Sequence, residues 1–181
     1  MRVFLAIEFS NEIKRHLYDI QNIVKEYSTS GNFTNEENFH LTLKFIGEIK
    51  DSELNKLKKV VDSIGDRQES FQIRFKELGQ FPRGNKKIVW VGLESNETLS
   101  ELYSKLEEEL AKEGYPKEER KFTPHITLGR EIRLEEDFGN VVNKVEIDNM
   151  EMNVDKISVM ESTRINGKLI YVPVYVKRFI F

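Results

Sequence analysis

The same order of hydrophobic patterns runs along this chain twice. Residues 2–9, RVFLAIEF, form an apolar run expected to be a buried strand. Ile13, Leu17, Ile20 and Val24 then fall at helical spacing over residues 11–27, with Ser10 or Asn11 as the N-cap. Residues 39–46, FHLTLKFI, alternate as a strand does. Asp51 opens a second helix with Leu54, Leu57, Val60, Val61 and Ile64 on one face, stopped by Gly65. Residues 70–78 alternate again. From residue 87 the order recurs. KIVWVGL (87–93) reads as a strand, and residues 97–113 as a helix carrying Leu99, Leu102, Leu106 and Leu110, ended by Gly114 and Pro116. HITL (125–128) reads as a strand behind Pro124. A weaker helical pattern covers 134–142, and β-rich segments lie near 145–160 and 169–180. A shift of 85 positions lays Val3-Phe4-Leu5-Ala6 on Ile88-Val89-Trp90-Val91. The expectation is one domain over residues 1–181, built as two α+β lobes from approximate repeats at 1–80 and 85–170 and related by an approximate two-fold.

The same shift superposes two tetrapeptides, His40-Leu41-Thr42-Leu43 and His125-Ile126-Thr127-Leu128. In a strand, residues i and i+2 share a face. His40 and Thr42 therefore point one way while Leu41 and Leu43 point into a core, and His125 and Thr127 do the same. Two such strands brought together by a two-fold present two imidazoles and two hydroxyls to one cleft. That set suits phosphodiester cleavage. A neutral imidazole takes a proton from the attacking oxygen, and an imidazolium protonates the leaving one near neutral pH. The threonine hydroxyls donate to non-bridging oxygens, where charge concentrates. The catalytic candidates are thus His40, Thr42, His125 and Thr127.

Composition narrows the alternatives. The chain has no cysteine, which excludes a disulfide framework and a thiolate nucleophile. A zinc site needs three or four ligands. The one spare histidine, His16, sits among polar residues of the first helix and reads as a surface residue. No metal or cofactor is expected. The formal net charge of −3 argues against broad gripping of long nucleic acid, though not against recognition of one phosphate at an RNA end. No apolar run approaches the roughly 20 residues that span a bilayer, and Val3-Phe4-Leu5-Ala6-Ile7 is too short for a signal-peptide core. Cytoplasmic residence, with no membrane partner, is the simplest reading.

In their wider contexts, Glu37 to Glu48 (ENFHLTLKFIGE) and Phe122 to Arg130 (FTPHITLGR), the two motifs resemble the 2H phosphoesterase superfamily. They look specifically like its RNA 2′,3′-cyclic phosphodiesterase branch, first described as 2′-5′ RNA ligase. The opening RVFLAIEF, the segment FPRGNKKIVWVGL and the late Ser158-Val159-Met160-Glu161-Ser162, followed by Gly167 to Tyr171, are similar too. The resemblance implies a bilobal α+β fold, two antiparallel sheets with flanking helices, and an active-site cleft between the lobes. It implies hydrolysis of a terminal 2′,3′-cyclic phosphate on RNA to a 2′-phosphate, with His40 as proton donor and His125 as proton acceptor. A minor reverse ligation would use the same groups. RNA or an oligonucleotide with a cyclic phosphate end is then the partner, and no protein partner is needed, since a monomer holds the whole cleft. The alternatives are a 2H enzyme acting on 2′,5′-oligonucleotides or a small cyclic phosphate, and an RNA-end-binding module.

Further residues carry two readings each. Arg130 lies where the resembling branch places a phosphate-binding arginine, yet strict alternation from His125 puts it on the opposite face unless Gly129 breaks the register. Lys44 shares the face of His40 and Thr42 by the same alternation. Phe39, Phe122 and Trp90 are either core residues or base-stacking surfaces. Arg83, Lys86 and Lys87, and Arg120 and Lys121, either reach an RNA backbone or are simply solvated.

Overall fold

The structure is a computed structural model and describes residues 1–147 and 149–180. Strand β1 (Arg2–Glu8) leads to helix α1 (Asn11–Glu26), strand β2 (Ser28–Phe33), a 3-10 turn (Glu36–Asn38) and strand β3 (His40–Glu48). Helix α2 (Asp51–Gly65) and strand β4 (Phe71–Arg83) follow, then β5 (Lys86–Leu93), α3 (Glu97–Lys112) and β6 (His125–Leu134). The chain ends with α4 (Phe138–Val142), β7 (Glu151–Val154), β8 (Lys156–Ile165) and β9 (Lys168–Arg178).

The strands form two antiparallel sheets, ordered β3-β1-β8-β9 and β2-β6-β5-β4-β7. Each motif strand pairs with the strand that opens its half of the chain. His40 lies opposite Glu8 and Thr42 opposite Ala6. His125 lies opposite Gly92 and Thr127 opposite Trp90. The sheets are not simply the two halves of the chain, because β2 and β4 join the second sheet while β8 and β9 join the first. Each half of the chain thus contributes strands to both sheets.

The helices form where capping and apolar spacing agree. The Ser10 hydroxyl accepts from Ile13 N at 3.3 Å, and Ile13, Leu17, Ile20 and Val24 are buried. The Asn96 side chain accepts from Leu99 N at 2.9 Å, and Leu99, Leu102, Leu106 and Leu110 are buried. At α2, Lys50 N donates to Glu53 Oε2 at 2.8 Å, so the cap falls one residue before Asp51. These stripes join Val3, Leu5, Leu41, Leu43, Val89, Val91, Ile126 and Leu128 in one continuous core against one face of each sheet. Phe4, Ala6 and Met160, with Tyr171 packed on them, form a small separate cluster on the other face of the first sheet.

Three elements depart from the sequence expectation. Residues 134–142 hold only the short α4, because β6 continues to Leu134. It continues because β2 pairs along it, from Ser28 opposite Leu134 to Phe33 opposite Gly129. That strand, STSGNF, has no apolar alternation and gains its partner only through tertiary pairing. β4 likewise runs on to Arg83 in a hairpin with β5. Among the described residues, no helix is long and apolar enough to cross a membrane.

One ion pair crosses from the first motif strand to α3. Lys44 Nζ lies 2.8 Å from Glu107 Oε1, with side chains only 11% and 7% exposed. The same ammonium donates to Pro116 O at 2.7 Å, and Glu107 Oε2 accepts from Glu118 N at 2.7 Å. The pair thereby anchors the segment that leads into the second motif. Removing one member of a buried pair strands the other charge. Lys44→Ala is expected to lower unfolding free energy by about 3 kcal/mol in urea denaturation, with most of it recovered in the Lys44→Met/Glu107→Leu double variant. An unchanged midpoint in the single variant would show that the pair does not hold this segment.

Candidate active site

Between the two sheets lies a cleft of about 870 Å³. His40 and Thr42 line it from β3, and His125, Thr127 and Arg130 from β6. Their alternate neighbours Leu41, Leu43, Ile126 and Leu128 are at most 3% exposed in the core. The structure thus brings together all five residues singled out in the two motif segments.

The two imidazoles are held in matching ways. His40 Nδ1 lies 2.7 Å from Asn38 O, and His125 Nδ1 lies 2.7 Å from Thr123 O. A carbonyl oxygen can only accept, so each Nδ1 carries the proton and each Nε2 is the nitrogen that remains for a second partner. His40 Nε2 lies 2.8 Å from Thr42 Oγ1. Each ring is also flanked by two aromatics. Phe4 lies 4.9 Å from His40 and Tyr171 packs edge-on at 5.1 Å. Phe81 packs edge-on to His125 at 5.1 Å, with Trp90 at 5.8 Å. Burial pushes both imidazole pKa values below the ordinary value, since it penalises the charged ring. The carbonyl bonds oppose this, by favouring the cation at His40 and His125 alike. The positive charges of Lys14, His125 and Arg130 lower His40 further, and that of Arg130 lowers His125.

A bulge follows the threonine in each motif strand. In β6, Thr127 pairs with Trp90 but Gly129 pairs with Val89, so β6 carries one extra residue. Leu128 and Gly129 both turn to the core side, where Val89 is fully buried, and Arg130 returns to the cleft. A Cβ on Gly129 would sit 2.8 Å from Ile132 Cδ1 and 3.1 Å from Asn32 O. Glycine therefore permits the bulge, and the bulge overrides the strict alternation that would have turned Arg130 away. In β3, Thr42 pairs with Ala6 but Lys44 pairs with Leu5, which again inserts one residue. Lys44 turns to the core side toward Glu107, which corrects its expected place beside His40 and Thr42, and Phe45 takes the cleft position.

The remaining sequence candidates lie outside the cleft lining. Phe39 is 2% exposed in the core. Phe122 stacks on Tyr103 with ring centroids 3.9 Å apart. Trp90 packs against both Phe81 and His125, over Gly79 and Gly92, where any side chain would collide with its ring. It therefore supports the imidazole. Lys86 pairs with Glu131 at 2.9 Å, Arg120 with Glu118 at 3.4 Å, and Lys87 sits over the Phe138 ring. Arg83, Lys121 and His16 are exposed. Among the described residues, no three His, Asp or Glu side chains converge as a metal site would require.

Several residues that shape the site escaped the sequence reading. Asn38 is buried, donates to Leu169 O at 2.9 Å and accepts from Tyr171 N at 3.3 Å. It ties the carbonyl that orients His40 to β9. Gln21, also buried, donates to Thr34 O at 2.7 Å and Leu128 O at 2.8 Å, fixing the second motif strand to the loop after β2. A polar residue on the apolar stripe of α1 was the available signal for Gln21. Asn38 and Tyr171 fall inside segments that carry the family resemblance, but no periodicity assigned either of them to the site.

A family model of the 2′-5′ RNA ligase superfamily matches residues 10–166. The chain belongs to this superfamily. The 2H phosphoesterase resemblance of its motifs and the α+β fold with two antiparallel sheets are both borne out. The chain is 29% identical over 180 residues to the RNA 2′,3′-cyclic phosphodiesterase of Thermotoga maritima, covering 99% of this chain and 96% of that one. It is 34% identical over 131 residues to that of Methanothermobacter thermautotrophicus, covering 72% and 71%. Escherichia coli LigT complexed with 3′-AMP superposes with a TM-score of 0.81 at 26% identity, covering 99% of this chain and 98% of that one.

The site's electrostatics give a linkage prediction for this member of the superfamily. The unfolded chain protonates both imidazoles near pH 6.5, and the folded chain does so at lower pH. Their contribution to stability is therefore complete above about pH 6.5 and declines as pH falls from there through the depressed folded values. NMR titration should place both His40 and His125 below the free imidazole value. Midpoints at or above about 6.5 would contradict the desolvated environment.

Proposed function

We propose that this cleft hydrolyses terminal 2′,3′-cyclic phosphates on RNA to 2′-phosphates by two-histidine acid–base catalysis. The observation that carries the reading is the matched pair of imidazoles. Each is locked through Nδ1 onto a carbonyl two residues upstream, which leaves Nε2 as the nitrogen for proton transfer, held by Thr42 Oγ1 at His40, in a cleft also lined by two threonine hydroxyls and one guanidinium. The relatives named RNA 2′,3′-cyclic phosphodiesterase support the substrate class.

In this reading, His125 Nε2 takes a proton from water as its oxygen attacks phosphorus opposite the 3′ oxygen. The P–O3′ bond breaks, and His40, entering as imidazolium, gives its Nε2 proton to O3′. The product has a 2′-phosphate and a free 3′-hydroxyl. His40 ends neutral and His125 protonated, and proton exchange with solvent resets both. The assignment of donor and acceptor follows the family pattern. Thr42 and Thr127 donate to the non-bridging oxygens, and Arg130 balances their charge. Because proton donor, proton acceptor and charge stabilisers all come from the chain, turnover should persist in excess chelator. Microscopic reversibility allows slow joining of a cyclic end to a 5′-hydroxyl. One chain forms the whole cleft, so a monomer suffices.

Product analysis on RNA ending in a 2′,3′-cyclic phosphate tests the proposal. A 2′-phosphate product is expected, and a 3′-phosphate would reject the regiochemistry. His40→Ala and His125→Ala should each reduce turnover by roughly 10²–10⁴-fold, and Arg130→Met by about 10²-fold. Near-normal turnover in either histidine variant would overturn the mechanism.

A further inference from the structure

The cleft extends well past the five motif residues. Its volume lies toward the upper end of the roughly 300–1,000 Å³ typical of small-ligand pockets. The extension runs along the open face of the first sheet. Arg2 and Phe4 share that face on β1, Phe45 reaches it through the β3 bulge opposite Phe4, and Ser162 pairs with Arg2 from β8. Arg164 follows two residues further along β8.

The chemistry of this extension is distinctive. The chain carries 31 acidic residues and a net charge of −3, yet no carboxylate is among the cleft-lining residues described. Three guanidinium groups, Arg2, Arg130 and Arg164, line it, and none has a carboxylate partner among the described residues. Arg164 donates to Gly167 O at 3.0 Å within its own hairpin, which leaves most of its donors free. Phe45 is 54% exposed, an unusual state for a large aromatic on a strand, and the Arg2 guanidinium lies 5.0 Å from its ring centroid. An open aromatic face beside unpaired guanidiniums is the arrangement that holds single-stranded nucleic acid. Arg2 lies four residues along β1 from Ala6, the partner of Thr42, about 13 Å at strand rise. Arg2, and Arg164 past its partner Ser162, are thus placed for a unit upstream of the one that carries the terminal phosphate, and Phe45, opposite Phe4, lies between them and the motif residues.

From this placement we infer that Phe45, Arg2 and Arg164 form a subsite for the upstream nucleotides of a single-stranded oligoribonucleotide. A base stacks on Phe45 and the Arg2 plane, and Arg164 engages a backbone phosphate. The inference rests on the proposed function for the identity of the end, and it makes the preferred substrate an oligonucleotide over a cyclic mononucleotide.

Fluorescence anisotropy with a 5′-labelled single-stranded pentaribonucleotide ending in a 3′-phosphate, with 3′-AMP as competitor, reads the subsite without turnover. The wild type should bind the pentamer at least about tenfold more tightly than 3′-AMP, and Phe45→Ala should remove about fivefold or more of that preference. Phe45→Trp should keep it. Arg164→Gln should shallow the log–log salt dependence of pentamer binding by about 0.7. Equal wild-type affinity for the two ligands, or equal loss in Phe45→Ala and Phe45→Trp with unchanged unfolding midpoints, would overturn the inference. Wild-type hydrolysis of the same pentaribonucleotide ending in a 2′,3′-cyclic phosphate is measured separately. Its absence alongside a pentamer preference would reject the proposed function and leave the subsite standing.

Discussion

Each motif strand must present two chemically opposed faces, and the site depends on that division. Leu41 and Leu43, like Ile126 and Leu128, are sealed in the core, while the histidine and threonine between them face the cleft. A slip of one residue in strand pairing would bury both imidazoles unpaired and expose the leucines. Apolar burial stabilises by about 1.5–3 kcal/mol for each such side chain, so the core face sets the register and the cleft face follows it. The site is in this sense a by-product of packing the other side of the same strands.

Within that register, two local devices set the chemistry. The first is the bond from each Nδ1 to a carbonyl two residues upstream, which fixes the tautomer and aims Nε2 into the cleft. The second is the bulge after each threonine. It returns Arg130 to the cleft in one strand and Phe45 in the other, and it turns Lys44 into its buried pair with Glu107. One geometric irregularity, used twice, thus gives one lobe a guanidinium and the other an aromatic surface. Asn38 ties the start of β3 to β9 within the first sheet, and Gln21 ties α1 to Leu128 of the second motif strand.

Much of this was legible from residue order. The helices α1, α2 and α3 and the strands β1, β3 and β5 have apolar periods set by the core they face, and period is what a sequence displays. The His/Thr quartet was legible for the same reason, since its spacing is the strand period. What stayed hidden was created by pairing. β2 carries no apolar alternation and exists because β6 offers it an edge. The bulges are properties of two strands taken together, so alternation along one strand misplaced Lys44 and argued against Arg130. Arg2 and Arg164 are far apart in the chain and meet on one surface only because β1 and β8 are neighbours.

The central claim is that one imidazole accepts a proton and the other donates one within the same cleft. The pH dependence of kcat/KM on a 2′,3′-cyclic phosphate tests it most directly, measured for the wild type and for the residual activity of each histidine variant. The wild type should give a bell. His125→Ala should lose the limb that falls toward acid, because no acceptor then needs to be deprotonated. His40→Ala should lose the limb that falls toward alkali, because no donor then needs to be protonated. A wild-type profile with a single limb, or both limbs persisting in either variant, would contradict the account.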